Sequence, residues 1–211
     1  VEAQYSLGIM FQDLGQFEAA INCYEMVLAI KPDFADAFNN LGVAFLNLDQ
    51  LDKAVKSYKA ALKLNPNFVE AINNLGIGLY NLGQMEDAIK SYEKVIAIQP
   101  DFVKAYNNLG NALMELGQLD EALESYKAAL KLKPDFVEAI NNLGITFYKL
   151  HQLDDAMNCY DRALVLDPDF ADAHNNIGTV LLERGQLNDA VKSYKEALKL
   201  KPEFVEALNN M

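Results

Sequence analysis

Asparagine is a mediocre helix former, yet here it recurs in pairs at a fixed interval. Asn39–Asn40, Asn73–Asn74, Asn107–Asn108, Asn141–Asn142, Asn175–Asn176 and Asn209–Asn210 follow one another in 34-residue steps, and Tyr5–Ser6 stands where the series begins. A carboxamide both donates and accepts hydrogen bonds. A row of carboxamides can hold the backbone of an extended peptide without reading its sequence. The second member of each pair, at Asn40, Asn74, Asn108, Asn142 and Asn176, is read as facing a ligand, and the first as structural. In the competing reading, one asparagine of each pair bonds the neighbouring repeat and fixes the twist of the array.

Apolar groups accompany the amides. Three residues beyond the second asparagine come Val43, Ile77, Asn111, Ile145 and Thr179, and three further on Leu46, Tyr80, Met114, Tyr148 and Leu182. An apolar strip flanked by amides suits a peptide groove. Ile77, Tyr80, Asn111, Ile145 and Tyr148 are therefore further peptide-binding candidates; alternatively, the adjacent helices cover them. A third series, Glu2, Asp36, Glu70, Lys104, Glu138, Asp172 and Glu206, reads either as an acidic groove edge favouring basic ligands or as part of helix capping boxes.

Catalysis needs converging acids, bases, nucleophiles or metals. His151 and His174 are the two histidines, and neither has a histidine or cysteine partner at ligand spacing. No phosphate-binding glycine loop, Cys-x-x-Cys pair or serine nucleophile elbow occurs. The sequence therefore predicts no enzyme activity, metal or cofactor. Cys23 and Cys159 fill equivalent places four repeats apart, where Ser57, Ser91, Ser125 and Ser193 also stand. They read as free thiols in a reducing, cytoplasmic setting.

Charge narrows the partners. The 211 residues carry 18 Lys plus Arg against 30 Asp plus Glu, a formal charge of −12. Nucleic-acid binding and anionic membrane surfaces both call for a basic footprint. With 51% hydrophobic residues, the chain has the apolar content to fold. Its apolar runs are too short to span a bilayer, and no signal peptide is visible.

These residues need elements to present them. Pro32, Pro66, Pro100, Pro134, Pro168 and Pro202 mark the same 34-residue step, as do Gly8, Ala20, Tyr24 and their equivalents. Units run 1–34, 35–68, 69–102, 103–136, 137–170 and 171–204, with a partial seventh at 205–211. Each holds two amphipathic helices, A and B, by apolar spacing of three and four. Gly15, Gly83, Gly117 and Gly185 close helix A as left-handed caps, with Asp49 and His151 in that role elsewhere. Asp135 with Glu138, and Asn67 with Glu70, read as capping boxes for the next helix. Small residues at Gly8 and Ala20 let the helices of one unit approach, and the tyrosines fill the space between units.

The pattern Leu7–Gly8, Phe11, Ala20, Tyr24, Pro32 resembles the tetratricopeptide repeat, over the whole chain. Phe38, Ile72, Tyr106, Ile140 and His174 stand at the fourth position, where that family usually has Trp. The resemblance implies an all-α, right-handed α-solenoid of tandem helix-turn-helix repeats, with helices A lining a concave groove. The asparagine pairs further resemble the arrays of O-linked N-acetylglucosamine transferases, whose position-six asparagines form a ladder. By that resemblance Asn40, Asn74, Asn108, Asn142 and Asn176 are the ladder, from which Ser6 departs. The carboxylate clamp of the chaperone-binding members is absent, because position five has no Lys and position six no Lys or Arg.

The implied function is a protein-interaction scaffold binding an extended peptide in the groove. Alternatives are the substrate-recognition arm of a larger enzyme, such as a glycosyltransferase, or self-association through exposed repeat ends. A start at Val1 and a stop at Met211, inside a helix A, fit a piece of a longer array. The core reading carries a prediction: Tyr92→Ala costs roughly 3–5 kcal/mol in urea unfolding. A cost under about 1 kcal/mol would remove that tyrosine from the core.

Overall fold

The computed structural model describes residues 1–211, which form thirteen α-helices and no strand. The chain divides into two compact units, Val1–Ala112 and Leu113–Met211. The first holds α1 (Glu2–Asp13), α2 (Phe17–Ile30), α3 (Ala35–Asn47), α4 (Leu51–Leu64), α5 (Val69–Asn81), α6 (Met85–Ile98) and the greater part of α7 (Val103–Glu115). The second holds the end of α7, then α8 (Leu119–Leu132), α9 (Val137–Lys149), α10 (Leu153–Leu166), α11 (Ala171–Glu183), α12 (Leu187–Leu200) and α13 (Val205–Asn210).

Each unit is a stack of helical hairpins, so the fold class is an all-α solenoid. In the first unit, α3 touches α1 and α5 as well as α2 and α4. In the second, α11 touches α9 and α13 as well as α10 and α12. The even-numbered helices make no such contacts with one another. The odd-numbered helices, which carry the asparagine pairs, thus form the continuous face of each unit.

A tyrosine seated on a glycine closes each hairpin. A Cβ added at Gly42 would lie 2.5 Å from the Tyr58 ring, and one at Gly76 2.5 Å from that of Tyr92. In the second unit the same test at Gly144 gives 2.6 Å to Tyr160, and at Gly178 2.5 Å to Tyr194. The glycine makes room for a ring from the other helix of its hairpin. The tyrosines also serve the next hairpin, as expected: Tyr24 shares one apolar cluster with Leu41, Ala44 and Phe45. Burial is complete along this seam, with Ala20, Tyr24, Ala54, Tyr58 and Tyr126 at 0% exposure.

The turns follow the sequence closely. Gly15 and Gly83 in the first unit, and Gly117 and Gly185 in the second, have φ between 71° and 75°. Asp49 and His151 adopt the same left-handed conformation, at φ 56° and 57°. In both turns the next residue's N–H reaches back five residues, Gln50 to the Phe45 carbonyl and Gln152 to that of Phe147, each at 2.9 Å. That bond belongs to the glycine cap geometry and holds the non-glycine residue in place.

The helix starts differ from expectation. The capping boxes assigned to Asp135 with Glu138 and to Asn67 with Glu70 are not formed. Phe136 and Phe68 occupy the N-cap positions with extended backbones and no side-chain cap bond. Their half-buried rings hold the entry angle, and the polar residue before each lies one place too early to cap. Asn65 serves the turn instead, its Oδ1 accepting the Asn67 N–H at 3.3 Å, and Asp167 does the same for Asp169 at 3.1 Å. Glu70 and Glu138 remain in the first helical turn, where the helix dipole favours a negative charge.

Two substitutions test this packing. Gly76→Ala pushes a methyl into the Tyr92 ring, so a loss of roughly 1–3 kcal/mol is expected in urea unfolding. Tyr58 Oη is buried without a hydrogen-bond partner. Tyr58→Phe should therefore leave stability unchanged or raise it by up to about 1 kcal/mol. A clear destabilisation by Tyr58→Phe would contradict this account of the hydroxyl.

Candidate functional site

The two asparagines of a pair point to different tasks. Those at the first position, Asn39, Asn73, Asn107, Asn141 and Asn175, are only 5–8% exposed. Those at the second position, Asn40, Asn74, Asn108, Asn142 and Asn176, are half-buried on the odd-numbered helices. In the first unit Asn74 Nδ2 donates to Asn39 Oδ1 at 3.0 Å, and Asn108 Nδ2 to Asn73 Oδ1 at 3.3 Å. In the second, Asn176 Nδ2 donates to Asn141 Oδ1 at 2.9 Å, and Asn210 to Asn175 at 3.2 Å. Tyr5 ends the series: its hydroxyl accepts from Asn40 Nδ2 at 2.9 Å. Both readings of the pair therefore bear on one residue. The second asparagine ties adjacent repeats together, and its carboxamide still has capacity for further bonds on the half-exposed side.

The apolar candidates gather beside these amides in two concavities. In the first unit Ile77, Tyr80, Asn108 and Asn111 meet, with Asn81 and Tyr92, around about 240 Å³. In the second, Ile145, Tyr148 and Asn176 meet, with Lys149, Tyr160 and Thr179, around about 310 Å³. The two linings correspond position by position. Asn40 and Asn74 lie on the same helical face of the first unit, and Asn142 on that of the second, outside these two concavities. Sequence reasoning missed Asn81, Tyr92, Lys149 and Tyr160, because it assigned the tyrosines wholly to the core and left the residue at the end of each helix aside.

The hydroxyls of Tyr24 and Tyr194 reach residues of the odd-numbered helices. Tyr24 Oη donates to Gln12 Oε1 at 3.2 Å, and Tyr194 Oη to Thr179 Oγ1 at 3.4 Å. Ile77 and Ile145 take the place of Thr179 beside Tyr92 and Tyr160, and offer no acceptor. At the rim of the second concavity, burial and then the Glu183 carboxylate, which accepts its hydrogen bond, push the Tyr148 phenol above its ordinary value. His151 Nδ1 lies 3.7 Å from Glu183 Oε1 on the exposed side.

A tetratricopeptide model described as the cilia and flagella-associated protein 70 C-terminal domain matches residues 68–208. Models described as TPR repeat and tetratricopeptide repeat match residues 8–49 and 35–68. The chain belongs to the tetratricopeptide repeat family. Among solved structures it is similar to MamA, at 27% identity and TM-score 0.67, covering 79% of this chain and 97% of that one. PilF of Pseudomonas aeruginosa matches at 21% identity and TM-score 0.82, over 99% of this chain and 95% of its own. YrrB, described as a TPR protein with an unusual peptide-binding site, matches at 22% identity and TM-score 0.65, over 88% and 96%. No curated protein matches the chain.

Two departures from the tetratricopeptide pattern now have a structural account. Tyr106 and His174 replace the usual Trp, and each bonds a turn carbonyl: Tyr106 Oη donates to Pro100 O at 3.0 Å, and His174 Nε2 lies 3.1 Å from Pro168 O. No group of three or more His, Cys, Asp or Glu is placed to hold a metal ion. No helix is long and apolar enough to cross a membrane. Cys23 and Cys159 are both free thiols.

Burial pushes the Cys159 thiol up to about 11, against a smaller opposing pull from Arg162. Burial likewise raises the Tyr24, Tyr58, Tyr92 and Tyr160 phenols well above their ordinary values. The repeats therefore hold these protons where the unfolded chain releases them. Stability is fully present below about pH 8.5 and falls as pH rises toward and beyond 11. The expected result is a urea midpoint that is level from about pH 7 to 8.5 and then declines. A level midpoint up to about pH 11 would contradict these buried phenols and thiol.

Proposed function

We propose that residues 1–211 act as one tetratricopeptide array, a protein-interaction scaffold that holds an extended segment of a partner protein along its odd-numbered helices. Asn40, Asn74, Asn108, Asn142 and Asn176 grip the segment's backbone. The observation that carries this reading is the orientation of the carboxamides. Asn74, Asn108 and Asn176 each spend one N–H on a buried partner of the preceding repeat. That bond pre-orients the amide, so less conformational freedom is lost when a peptide binds. Ile77, Tyr80, Ile145 and Tyr148 supply apolar contact on the same face, and Asn111 adds a further carboxamide.

The formal charge of −12 and the acidic series Asp36, Glu70, Glu138 and Asp172 favour a neutral or basic segment over an acidic one. YrrB offers a precedent for peptide binding on this fold. A scaffold of this kind needs no catalytic group of its own.

The test is a peptide-array screen of the parent chain beside a variant with Asn74, Asn108 and Asn142 changed to Ala. Each is assayed well below its unfolding temperature, with helix content checked by circular dichroism. Peptides bound by the parent should lose affinity by about tenfold or more in the variant. Equal binding by both chains would overturn the ladder.

A further inference from the structure

The seam tyrosines are chemically alike but not equally satisfied. Tyr24 and Tyr194 find acceptors in their own hairpins. Tyr58 Oη is sealed inside the first unit without a partner. Tyr92 and Tyr160 differ from all of these. Each is only 2% exposed overall, yet each forms part of the wall of a concavity, and its hydroxyl, unlike that of Tyr58, is not sealed away without a partner. Each concavity is also lined by an isoleucine, a second tyrosine and the carboxamide of the next repeat. An occupant that covers such a hydroxyl must satisfy it or leave it unpaired at a cost.

We propose that these two concavities are anchor sites, each taking one tyrosine side chain of the bound segment. Volumes of about 240 and 310 Å³ lie at or below the lower end of the range for small-molecule pockets, so a single side chain is the fitting occupant. Ile77 and Tyr80 in one site, and Ile145 and Tyr148 in the other, receive the apolar ring. The Oη of Tyr92 or Tyr160 then meets the incoming phenol. A phenol both donates and accepts, so either direction of that bond is open. The first concavity is lined by uncharged groups throughout, which disfavours an ionised anchor. This inference rests on the reading of the face as a peptide groove.

The experiment uses the full chain with labelled isoleucine methyls and two probes, N-acetyl-tyrosinamide and N-acetyl-phenylalaninamide. Titration is followed at the Ile77 and Ile145 methyls by NMR. The tyrosine probe should shift both methyls and bind roughly 2- to 10-fold more tightly than the phenylalanine probe, the worth of one hydrogen bond. In Tyr92→Phe the preference should vanish at Ile77 and persist at Ile145; in Tyr160→Phe the reverse. These variants keep the ring on its glycine and leave the asparagines untouched. Absence of methyl shifts up to the solubility limit would overturn the proposal, as would equal affinity for the two probes or a preference that survives in Tyr92→Phe. None of those results bears on the asparagine ladder, whose own test is the loss of peptide binding in the Asn→Ala variant.

Discussion

A tyrosine ring resting on a bare glycine Cα is the contact on which the rest of this structure depends. It recurs wherever a hairpin is complete within a unit, from Gly8 with Tyr24 to Gly178 with Tyr194. The ring sets how far apart the two helices of a hairpin stand. It also presents its outer edge to the following hairpin, so one side chain fixes spacing both within and between repeats. Any side chain on the glycine would displace the ring from both partners at once. In Tyr24 and Tyr194 the same contact directs the phenol oxygen to a partner on the odd-numbered helix of the hairpin. Core packing and surface chemistry thereby share one residue.

The amide pairs build on that spacing. Only when neighbouring odd-numbered helices sit side by side can Asn74 reach Asn39 at 3.0 Å, or Asn176 reach Asn141 at 2.9 Å. A buried carboxamide needs its hydrogen bonds met, so the first asparagine of each pair constrains the second. The result is a row of polar groups whose orientation is set before any ligand arrives. Pre-orientation of this sort costs helix propensity at two positions per repeat. The stack compensates through Ala37, Ala71, Ala105, Ala139 and Ala173 on the same helices, all fully buried.

Much of this was legible in the sequence. The proline, glycine and tyrosine steps gave the repeat, and the left-handed turns at Asp49 and His151 followed from position alone. The helix starts were not legible, because side-chain oxygens do not mark an N-cap occupied by a half-buried ring, as at Phe68 and Phe136. The double duty of the second asparagines was hidden for another reason. Adjacent residues on a helix point only about 100° apart, so a face assigned from spacing does not say which neighbour lies within reach. The open hydroxyls of Tyr92 and Tyr160 depend on a residue fifteen places earlier in the same repeat, isoleucine in both. That dependence becomes visible only once the ring is seen to cross its hairpin.

The central claim is that the face built by these amides and tyrosines is where a partner segment lies. A crystal structure of the chain with a bound peptide tests it most directly. The account predicts the peptide backbone within hydrogen-bond distance of the Asn74 and Asn108 carboxamides, running along the odd-numbered helices. A peptide seated instead on the even-numbered helices, with the asparagines bonded only to one another, would contradict it.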